Sequence, residues 1–220
     1  MPRRRGRAEI WRSARVPMKL YGDQNPAPNP RRVRIFLAEK NIEVEHERVS
    51  LREGAHKTPE FLDKNSLGQV PVLELDDGSY ISESVSICRY LEETHPQPPL
   101  FGRGAKDKAL IDMWCRRIEL RLMIPIANIW RHTHPLTAAL LVQYKDFGES
   151  NRPRIDEFYL WLNGELESRD FMAGDDDSIA DIVALTAIDF GRMIGVDIPE
   201  SCTVVWAWHA RVSARPSAQA

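Results

Sequence analysis

The chain has 220 residues, of which 43% are hydrophobic and 28% are charged, a composition typical of a soluble globular protein with two modest domains. This balance excludes an intrinsically disordered chain, and the lack of an apolar run of about 18 residues predicts no membrane partner. The three cysteines, Cys88, Cys115 and Cys202, are odd in number and widely spaced, which indicates a reducing, cytoplasmic compartment and neither a disulfide framework nor a metal site.

The first 17 residues are rich in arginine. They hold six Arg and one Glu, a net +5, so the formal charge of −2 leaves −7 (−2 minus 5) for the remainder. An Arg-rich start could be a transit peptide or a nucleic-acid-binding arm. Because Met18 begins a strand-like segment, we favour a disordered N-terminal extension or an upstream start codon, and we expect no nucleic-acid partner.

Residues 18–95 alternate short strands with helices, which predicts a small mixed α/β domain. The dipeptide Asp77-Gly78 predicts a two-residue hairpin turn between two of the strands. The predicted elements are strands at Leu20–Tyr21, Glu43–Val49, Pro71–Leu75 and Ser79–Ile81, and helices at Pro30–Lys40, Pro59–Asn65 and Ser82–Glu93.

The stretch Thr94–Pro99 contains three prolines and cannot continue a helix, so residues 96–105 are expected to form an interdomain linker. Residues 106–220 then predict an all-α domain. Within it, Ser178 and Asp181 have the spacing of a capping box. The expected helices are one long helix at Lys106–His132, a pair broken near Asn151–Pro153, and helices at Ser178–Met193 and Cys202–Arg215.

Two short segments of the first domain suggest a peptide-like ligand. A proline entering a strand at Pro71, particularly in the cis form, turns the backbone of Val70 outward, where it can pair with an extended ligand. Ser82-Glu83-Ser84 lies where a strand leads into a helix, so its N–H groups can bind a carboxylate while Glu83 binds an ammonium group. These are the ends of a γ-glutamyl group, although ordinary N-capping explains the serines almost as well.

Taken together, several motifs resemble those of a glutathione S-transferase, and the similarity covers nearly all of residues 18–220. The motifs are Lys19-Leu20-Tyr21, Arg31-Arg32-Val33-Arg34-Ile35, Gly54-Ala55-His56, Asn65 to Leu73 (NSLGQVPVL), Ser82-Glu83-Ser84, Ser178-Ile179-Ala180-Asp181 and Arg215-Pro216-Ser217.

The resemblance implies a thioredoxin-like first domain, a helical second domain, a homodimer, and glutathione as co-substrate without a further cofactor or metal. It implies that Val70 pairs with the cysteinyl backbone of glutathione next to a cis Pro71. It also places Glu83 and Ser84 at the γ-glutamyl end, and His56 and Gln69 near the glycyl carboxylate.

The residues that usually activate the thiol are absent. Ala27 occupies the position of the common Ser, and Asn29 occupies the Cys position of the thiol-transferase classes. Because Asn29 precedes Pro30, we expect it to be the N-cap of the first helix and to donate its side-chain amide to a glutathione thiolate, which makes it the candidate catalytic residue. The Ala-Pro-Asn arrangement is similar to nu-class and related fungal-type, or bacterial, transferases.

The acceptor pocket is expected on the first helix of the second domain, with Trp114, Asn128 and Arg131 facing it. A related fungal-type branch presents a Ser and a His on this helix to hold a water molecule. In this chain the matching positions are Ala127 and Arg131, with Asn128 and His132 each one residue further along. His132 and His134 lie next to a proline with no third ligand in view, so no metal site is expected.

The leading functional expectation is a cytoplasmic transferase that directs the glutathione thiolate at a small electrophile, as in detoxification. Its Ala-Pro-Asn loop leaves open a glutathione-dependent disulfide reductase or peroxidase. Because Ala27 and Ala127 lack the hydroxyl groups expected at these positions, a non-catalytic binding protein of the same fold also remains an alternative.

Overall fold

A computed structural model describes residues 18–23 and 27–220, and the predicted N-terminal extension lies outside these residues. The strands are β1 (Lys19–Gly22), β2 (Glu45–Arg48), β3 (Val72–Glu74) and β4 (Tyr80–Ser82). The helices are α1 (Pro28–Lys40), α2 (Pro59–Lys64), α3 (Ser84–Thr94), α4 (Gly104–Ile118), α5 (Ile124–Thr133), α6 (Lys145–Glu149), α7 (Arg152–Glu165), α8 (Ile179–Met193) and α9 (Thr203–Ser213).

The four strands form one mixed sheet in the order β2-β1-β3-β4. Strand β1 is parallel to β2 and antiparallel to β3, and β3 is antiparallel to β4. This topology confirms the predicted thioredoxin-like domain. Strand β3 begins at Val72, one residue later than predicted, because Pro71 has no N–H to donate to the sheet. The outer strand β2 is exposed and mostly charged, which protects the sheet edge from pairing with other chains.

The hairpin between β3 and β4 differs from the prediction. The Leu75 N–H donates to the Ser79 carbonyl at 2.8 Å and the Gly78 N–H donates to the Leu75 carbonyl at 2.9 Å. Three residues therefore form the loop, and the predicted two-residue turn is wrong. A two-residue type I′ turn needs positive φ at both positions, whereas Gly78 has a φ of 81° and Asp77 is not in that region.

The predicted long helix at Lys106–His132 is interrupted. Helices α4 and α5 are joined by a π-helical segment, Glu119–Met123. Pro125, two residues after this segment, cannot donate to the carbonyl four residues earlier. Regular α-helical bonding therefore fails here, and the wider π-helical turn accommodates the missing hydrogen bond. The interruption lies beside the cleft described below.

The predicted capping box is present at the start of α8. The Ser178 N–H donates to Asp181 Oδ2 at 3.1 Å. The other carboxylate oxygen of Asp181 accepts from the Met172 N–H and from Trp208 Nε1, both at 2.9 Å. Burial raises the pKa of Asp181 to about 6. One buried carboxyl group therefore joins the preceding loop, α8 and α9.

A buried lysine fixes the proline-rich stretch between the two halves. The Lys40 ammonium, at the end of α1, forms a buried ion pair with Glu92 and donates to the His95 carbonyl at 2.8 Å. It also donates to the Pro98 carbonyl. Several acceptors thus compensate a charge that would be costly to bury alone, and the stretch is held against the first half.

The two halves share one hydrophobic core, which includes Val33 and Phe36 of α1 together with Ile182 of α8. At its margin, Arg31 Nη1 lies 2.6 Å from Asp189 Oδ2, which adds an ion pair between α1 and α8. The relative placement of the sheet and the helical half is therefore set by packing as well as by the covalent link. Within the described ranges, no helix combines the length and apolarity needed to cross a bilayer.

Candidate functional site

A cleft of about 590 Å³ lies between the two halves. The first half contributes the start of α1 and the start of α3. The second half contributes α4, the π-helical segment and α5. The lining of the cleft includes Asn29, Arg32, Glu83, Ser84, Arg89, Asp112, Cys115, Arg116, Glu119, Leu120, Met123, Ile124, Ala127 and Arg131.

Asn29 lines the cleft but is not the N-cap of α1, so that prediction is wrong. The helix begins at Pro28, and Ala27 is the N-cap with φ −60° and ψ 120°. The Ala27 carbonyl accepts the Arg31 N–H at 3.3 Å. The sequence offers two prolines, Pro28 and Pro30, that suit the first helical position, and the helix starts at the earlier one. The side chain of Asn29 is thereby freed from capping and is half-buried.

Asn29 offers two donors at a helix N-terminus. Its backbone N–H is the only one in residues 28–30, because Pro28 and Pro30 have none, and its side-chain amide provides the second. Neither group has a hydrogen-bond partner among residues 18–23 and 27–220. A helix start is favourable for negative charge, so this end of the cleft is suited to an anion.

The loop before β3 is held by side-chain to backbone bonds. Asn65 Nδ2 donates to the Gln69 carbonyl at 2.9 Å, and Lys57 Nζ donates to the Leu67 carbonyl at 3.1 Å. The Val70–Pro71 peptide bond that follows is cis, as the resemblance implies. The loop therefore holds Val70 in a fixed conformation just before β3 begins.

We expect Gly68→Ala to disturb this loop. Gly68 has a φ of +57°, and an added Cβ would lie 2.7 Å from the His56 carbonyl oxygen. The combined strain and clash should lower the free energy of unfolding, measured by urea denaturation, by about 1–3 kcal/mol. Gly78→Ala is the matched control, because its φ is +81° but no atom lies within 4 Å of the added carbon. Equal losses of unfolding free energy in both variants would contradict this account.

The start of α3 brings together Glu83 and Ser84. Glu83 is the N-cap and has a φ of 68°, a left-handed conformation that is uncommon for a residue with a side chain and is often found at functional sites. Ser84 is 4% exposed, and its hydroxyl accepts from Arg32 Nη1 at 2.9 Å. The positive helix N-terminus can bind a negative group, and the exposed Glu83 carboxylate can bind a positive one. The arrangement therefore suits a ligand that carries both charges.

Arg32 is a buried cation beneath this site that sequence reasoning did not single out. It is 2% exposed, and its Nη1 also lies 3.0 Å from Glu119 Oε1 of the π-helical segment. Two more of its nitrogens, Nε and Nη2, are buried without a partner in the described part of the chain. Arg32 therefore ties the Ser84 hydroxyl to the second half and orients it.

Neither His56 nor Gln69 lines the cleft: His56 lies in a short 3-10 turn, Ala55–Lys57, before α2, and Gln69 lies in the loop between α2 and β3. The two are brought near one another because Gly68 packs against the His56 carbonyl. Burial and the neighbouring Lys57 hold the pKa of His56 below its usual range. His56 is therefore neutral at pH 7 and can donate a hydrogen bond but supplies no charge.

Of the three residues expected in the acceptor pocket, only Arg131 lines the cleft. Trp114 is 2% exposed and stacks on Trp161 at 5.5 Å between ring centroids. Asn128 donates to Asn151 at 3.4 Å, outside the cleft. Trp114 and Asn128 do not line this cleft, because each is engaged by a neighbouring helix or loop instead.

The apolar wall of the cleft was missed by sequence reasoning. It consists of Leu120, Met123, Ile124 and Ala127. These positions are three or four residues apart and therefore share one face of the helix. That spacing is visible in the sequence, but it does not reveal that the face is opposite Asn29. Ala127 itself offers no hydroxyl to the cleft.

The cleft cysteine is held protonated by burial, and the two histidines near the end of α5 are bonded to the backbone. Cys115 lines the cleft, but burial raises the pKa of its thiol to about 12, so the thiol stays protonated at neutral pH. The Nδ1 atoms of His132 and His134 accept backbone N–H groups, each at 3.3 Å. No group of three or more His, Cys, Asp or Glu suited to a metal ion occurs in the ranges that the structure covers.

Comparison with known proteins assigns both halves to one family. Residues 27–94 match the family described as glutathione S-transferase, N-terminal domain, and residues 129–216 match glutathione S-transferase, C-terminal domain. The chain is 38% identical to glutathione S-transferase 2 of Saccharomyces cerevisiae over 204 residues, which cover 91% of this chain and 87% of that protein. It is 31% identical to human glutathione S-transferase theta-2 over 205 residues, covering 90% and 81%.

Solved structures agree with these sequence matches. The crystal structure of Gtt2 from Saccharomyces cerevisiae superposes with a TM-score of 0.85 at 37% identity, covering 91% of this chain and 98% of that one. A class Gtt2 glutathione S-transferase of Vibrio parahaemolyticus gives a TM-score of 0.79 at 33% identity, covering 92% and 96%. The chain therefore belongs to the glutathione S-transferase family and is a glutathione transferase.

Proposed function

We propose that glutathione binds along the first half with its sulfur at the start of α1, and that its thiolate attacks a small electrophile held against the second half. The observation that carries this proposal is that Asn29, Glu83 and Ser84 line one cleft, so a γ-glutamyl group and a sulfur anion can be held together. Titration calorimetry with glutathione tests it, and an absence of binding would overturn it.

The contacts proposed for glutathione follow its charges. The α-carboxylate would accept from the Ser84 hydroxyl and from N–H groups at the start of α3, and the α-ammonium would pair with the exposed Glu83. The backbone of Val70 would pair with the cysteinyl residue by strand addition. Gln69 and neutral His56 would donate to the glycyl carboxylate. Every group of the tripeptide thereby has a partner of the complementary kind.

The energy required at the sulfur is modest. A free thiol has a pKa of about 8.5, and lowering it by two units needs about 2.7 kcal/mol of preferential stabilisation of the thiolate. A hydrogen bond to a charged group contributes about 1.5–3 kcal/mol, and a helix N-terminus adds about 0.3–1 kcal/mol. The amide of Asn29 and the first turn of α1 together contribute about 1.8–4 kcal/mol, a range that includes the required energy without a hydroxyl from residue 27.

In the proposed reaction the thiol proton leaves to solvent as glutathione binds. The sulfur lone pair then forms the new bond to the electrophilic carbon, and that carbon releases its leaving group with the bonding electrons. Leu120, Met123, Ile124 and Ala127 would hold the apolar part of the electrophile and exclude water from the reacting atoms. The chain itself forms no covalent intermediate in this scheme.

The expectation of a disulfide reductase or peroxidase receives less support. Cys115 is protonated by burial, so a mixed disulfide with the protein is disfavoured, and reduction would need a second glutathione to resolve the first. Parallel assays with an aryl halide and with a small disulfide separate the activities. Turnover of neither substrate, with glutathione still bound, would favour a binding protein of the same fold.

We expect Glu83→Gln to weaken glutathione binding about tenfold, because a charge-assisted hydrogen bond to the ammonium group is lost. A glutathione analogue without the α-amino group should bind the variant and the unchanged protein alike. Glu43→Gln is the control, since Glu43 is exposed and precedes β2 outside the cleft. If calorimetry shows the same loss for the analogue as for glutathione, Glu83 does not contact the ammonium group.

We further propose that the protein acts as a cytoplasmic homodimer in detoxification. The support is its membership of the family, for which this arrangement is the general expectation, together with three free buried cysteines that fit a reducing compartment. Light scattering coupled to size-exclusion chromatography would test the dimer. A monomer at micromolar concentration would contradict it.

A further inference from the structure

The second-half wall of the cleft has an exposed apolar part. Leu120 is 57% exposed and Ile124 is 46% exposed, and Met123 and Ala127 continue the same face. Large apolar side chains left open in a cleft indicate a surface for an apolar ligand group. The body of the acceptor is therefore expected to lie here.

The arginines that line the cleft differ in whether a nearby carboxylate compensates their charge. Arg89 and Arg116 both lie near Asp112, at 3.4 and 3.9 Å. Arg32 is bound to Glu119 and Ser84, as described above. Arg131, in contrast, has no carboxylate within 4 Å among the residues that the structure describes. Of the four cleft arginines, it is the one whose charge no carboxylate compensates within residues 18–23 and 27–220.

Arg131 is also not required to cap its own helix. It lies in the last turn of α5, where a cationic side chain could have bonded to the free carbonyls. That role is filled by others: the Thr137 hydroxyl lies 2.9 Å and the Gln143 amide 3.3 Å from the Arg131 carbonyl oxygen. The guanidinium is exposed and available to a ligand.

We propose that the acceptor carries an anionic group, such as a carboxylate or sulfonate, which Arg131 binds. The inference rests on the proposed function and refines it by naming the substrate class. Arg131 follows Ala127 by one helical turn, about 6 Å along the axis, so the anionic group lies about that distance beyond the apolar wall. Guanidinium groups pair with carboxylates through two parallel hydrogen bonds, which would also orient the acceptor.

Two product analogues that differ by one carboxylate test this without requiring turnover. We expect S-(4-carboxybenzyl)glutathione to bind the unchanged protein about tenfold more tightly than S-benzylglutathione in titration calorimetry, as for a charge-assisted pair. Arg131→Gln should abolish that preference and leave S-benzylglutathione within about twofold, and Arg131→Lys should retain part of it. Arg121→Gln is the matched control, because it removes the same charge from a residue outside the cleft.

Each other outcome overturns the proposal. If the unchanged protein shows no preference, or if Arg121→Gln abolishes it as fully as Arg131→Gln, Arg131 does not select an anion. If Arg131→Gln weakens both analogues equally and raises the pKa of bound glutathione, followed by thiolate absorbance, Arg131 acts on the sulfur instead. Failure of both analogues and of glutathione to bind would overturn the proposed function, and this inference with it.

Discussion

Asp181→Ala is expected to be among the most destabilising single substitutions in the chain, lowering the free energy of unfolding by about 3–5 kcal/mol at pH 5. The carboxyl group is buried and accepts from the Ser178 N–H, the Met172 N–H and Trp208 Nε1. Removing it leaves three donors without acceptors in a dry interior and creates a small cavity between α8 and α9.

Urea denaturation measures this loss, with Asp176→Ala as the control because Asp176 is an exposed acid in the preceding loop. The pH dependence supplies a second readout. Because the folded pKa of Asp181 is raised to about 6, the group contributes most stability below its unfolded pKa of about 3.9 and loses it as the pH rises to about 6. The deficit of the variant should therefore narrow as the pH rises from about 4 through about 6. A deficit below about 1 kcal/mol at pH 5 would contradict the assigned role.

Asn29→Ala is expected to reduce kcat/KM about 10- to 100-fold, because one hydrogen bond to a charged sulfur is lost. The pKa of the bound thiol, followed by thiolate absorbance, should rise by about one to two units, since each unit corresponds to about 1.4 kcal/mol. The dissociation constant of glutathione measured well below that pKa should change little, because the neutral thiol makes only a weak hydrogen bond.

Asn128→Ala is the matched control for this experiment. Asn128 carries the same side chain but donates to Asn151 outside the cleft, so kcat/KM should stay within about twofold of the unchanged protein. Double substitution with Ala27→Ser should recover part of the loss if a hydroxyl at that position reaches the sulfur. An unchanged thiol pKa in Asn29→Ala would exclude Asn29 from stabilising the thiolate.

The parts of the fold set by local chemistry could be predicted from the sequence. Hydrophobic periodicity located the strands and helices, and the capping box at Ser178 depended on residues only three apart. The errors arose where local patterns permit two solutions. Pro28 and Pro30 both suit the first turn of α1, and Asp77-Gly78 fits a two-residue turn as well as the final part of a three-residue one. Packing and longer-range hydrogen bonds decide between such alternatives.

The site residues also divide into those that a short sequence motif predicts and those that only the packing of the fold reveals. Glu83 and Ser84 are adjacent in sequence and share the cleft, and they could be proposed from a short motif. The opposing wall could not, because α5 presents several faces and only its packing against α6, α7 and α8 selects the one that meets Asn29. Trp114 illustrates the limit: its size predicts burial, but not whether it is covered by a ligand or by Trp161.

The two prolines at the start of α1 have a consequence for selectivity. An ordinary helix start presents several peptide donors and coordinates phosphate or sulfate through several oxygens at once. Here the residues from Pro28 to Pro30 retain a single peptide N–H, so a multi-oxygen anion would leave most of its lone pairs unmet, whereas a lone sulfur atom needs only this N–H and the neighbouring amide. The cell's abundant inorganic oxyanions should therefore compete poorly for this position.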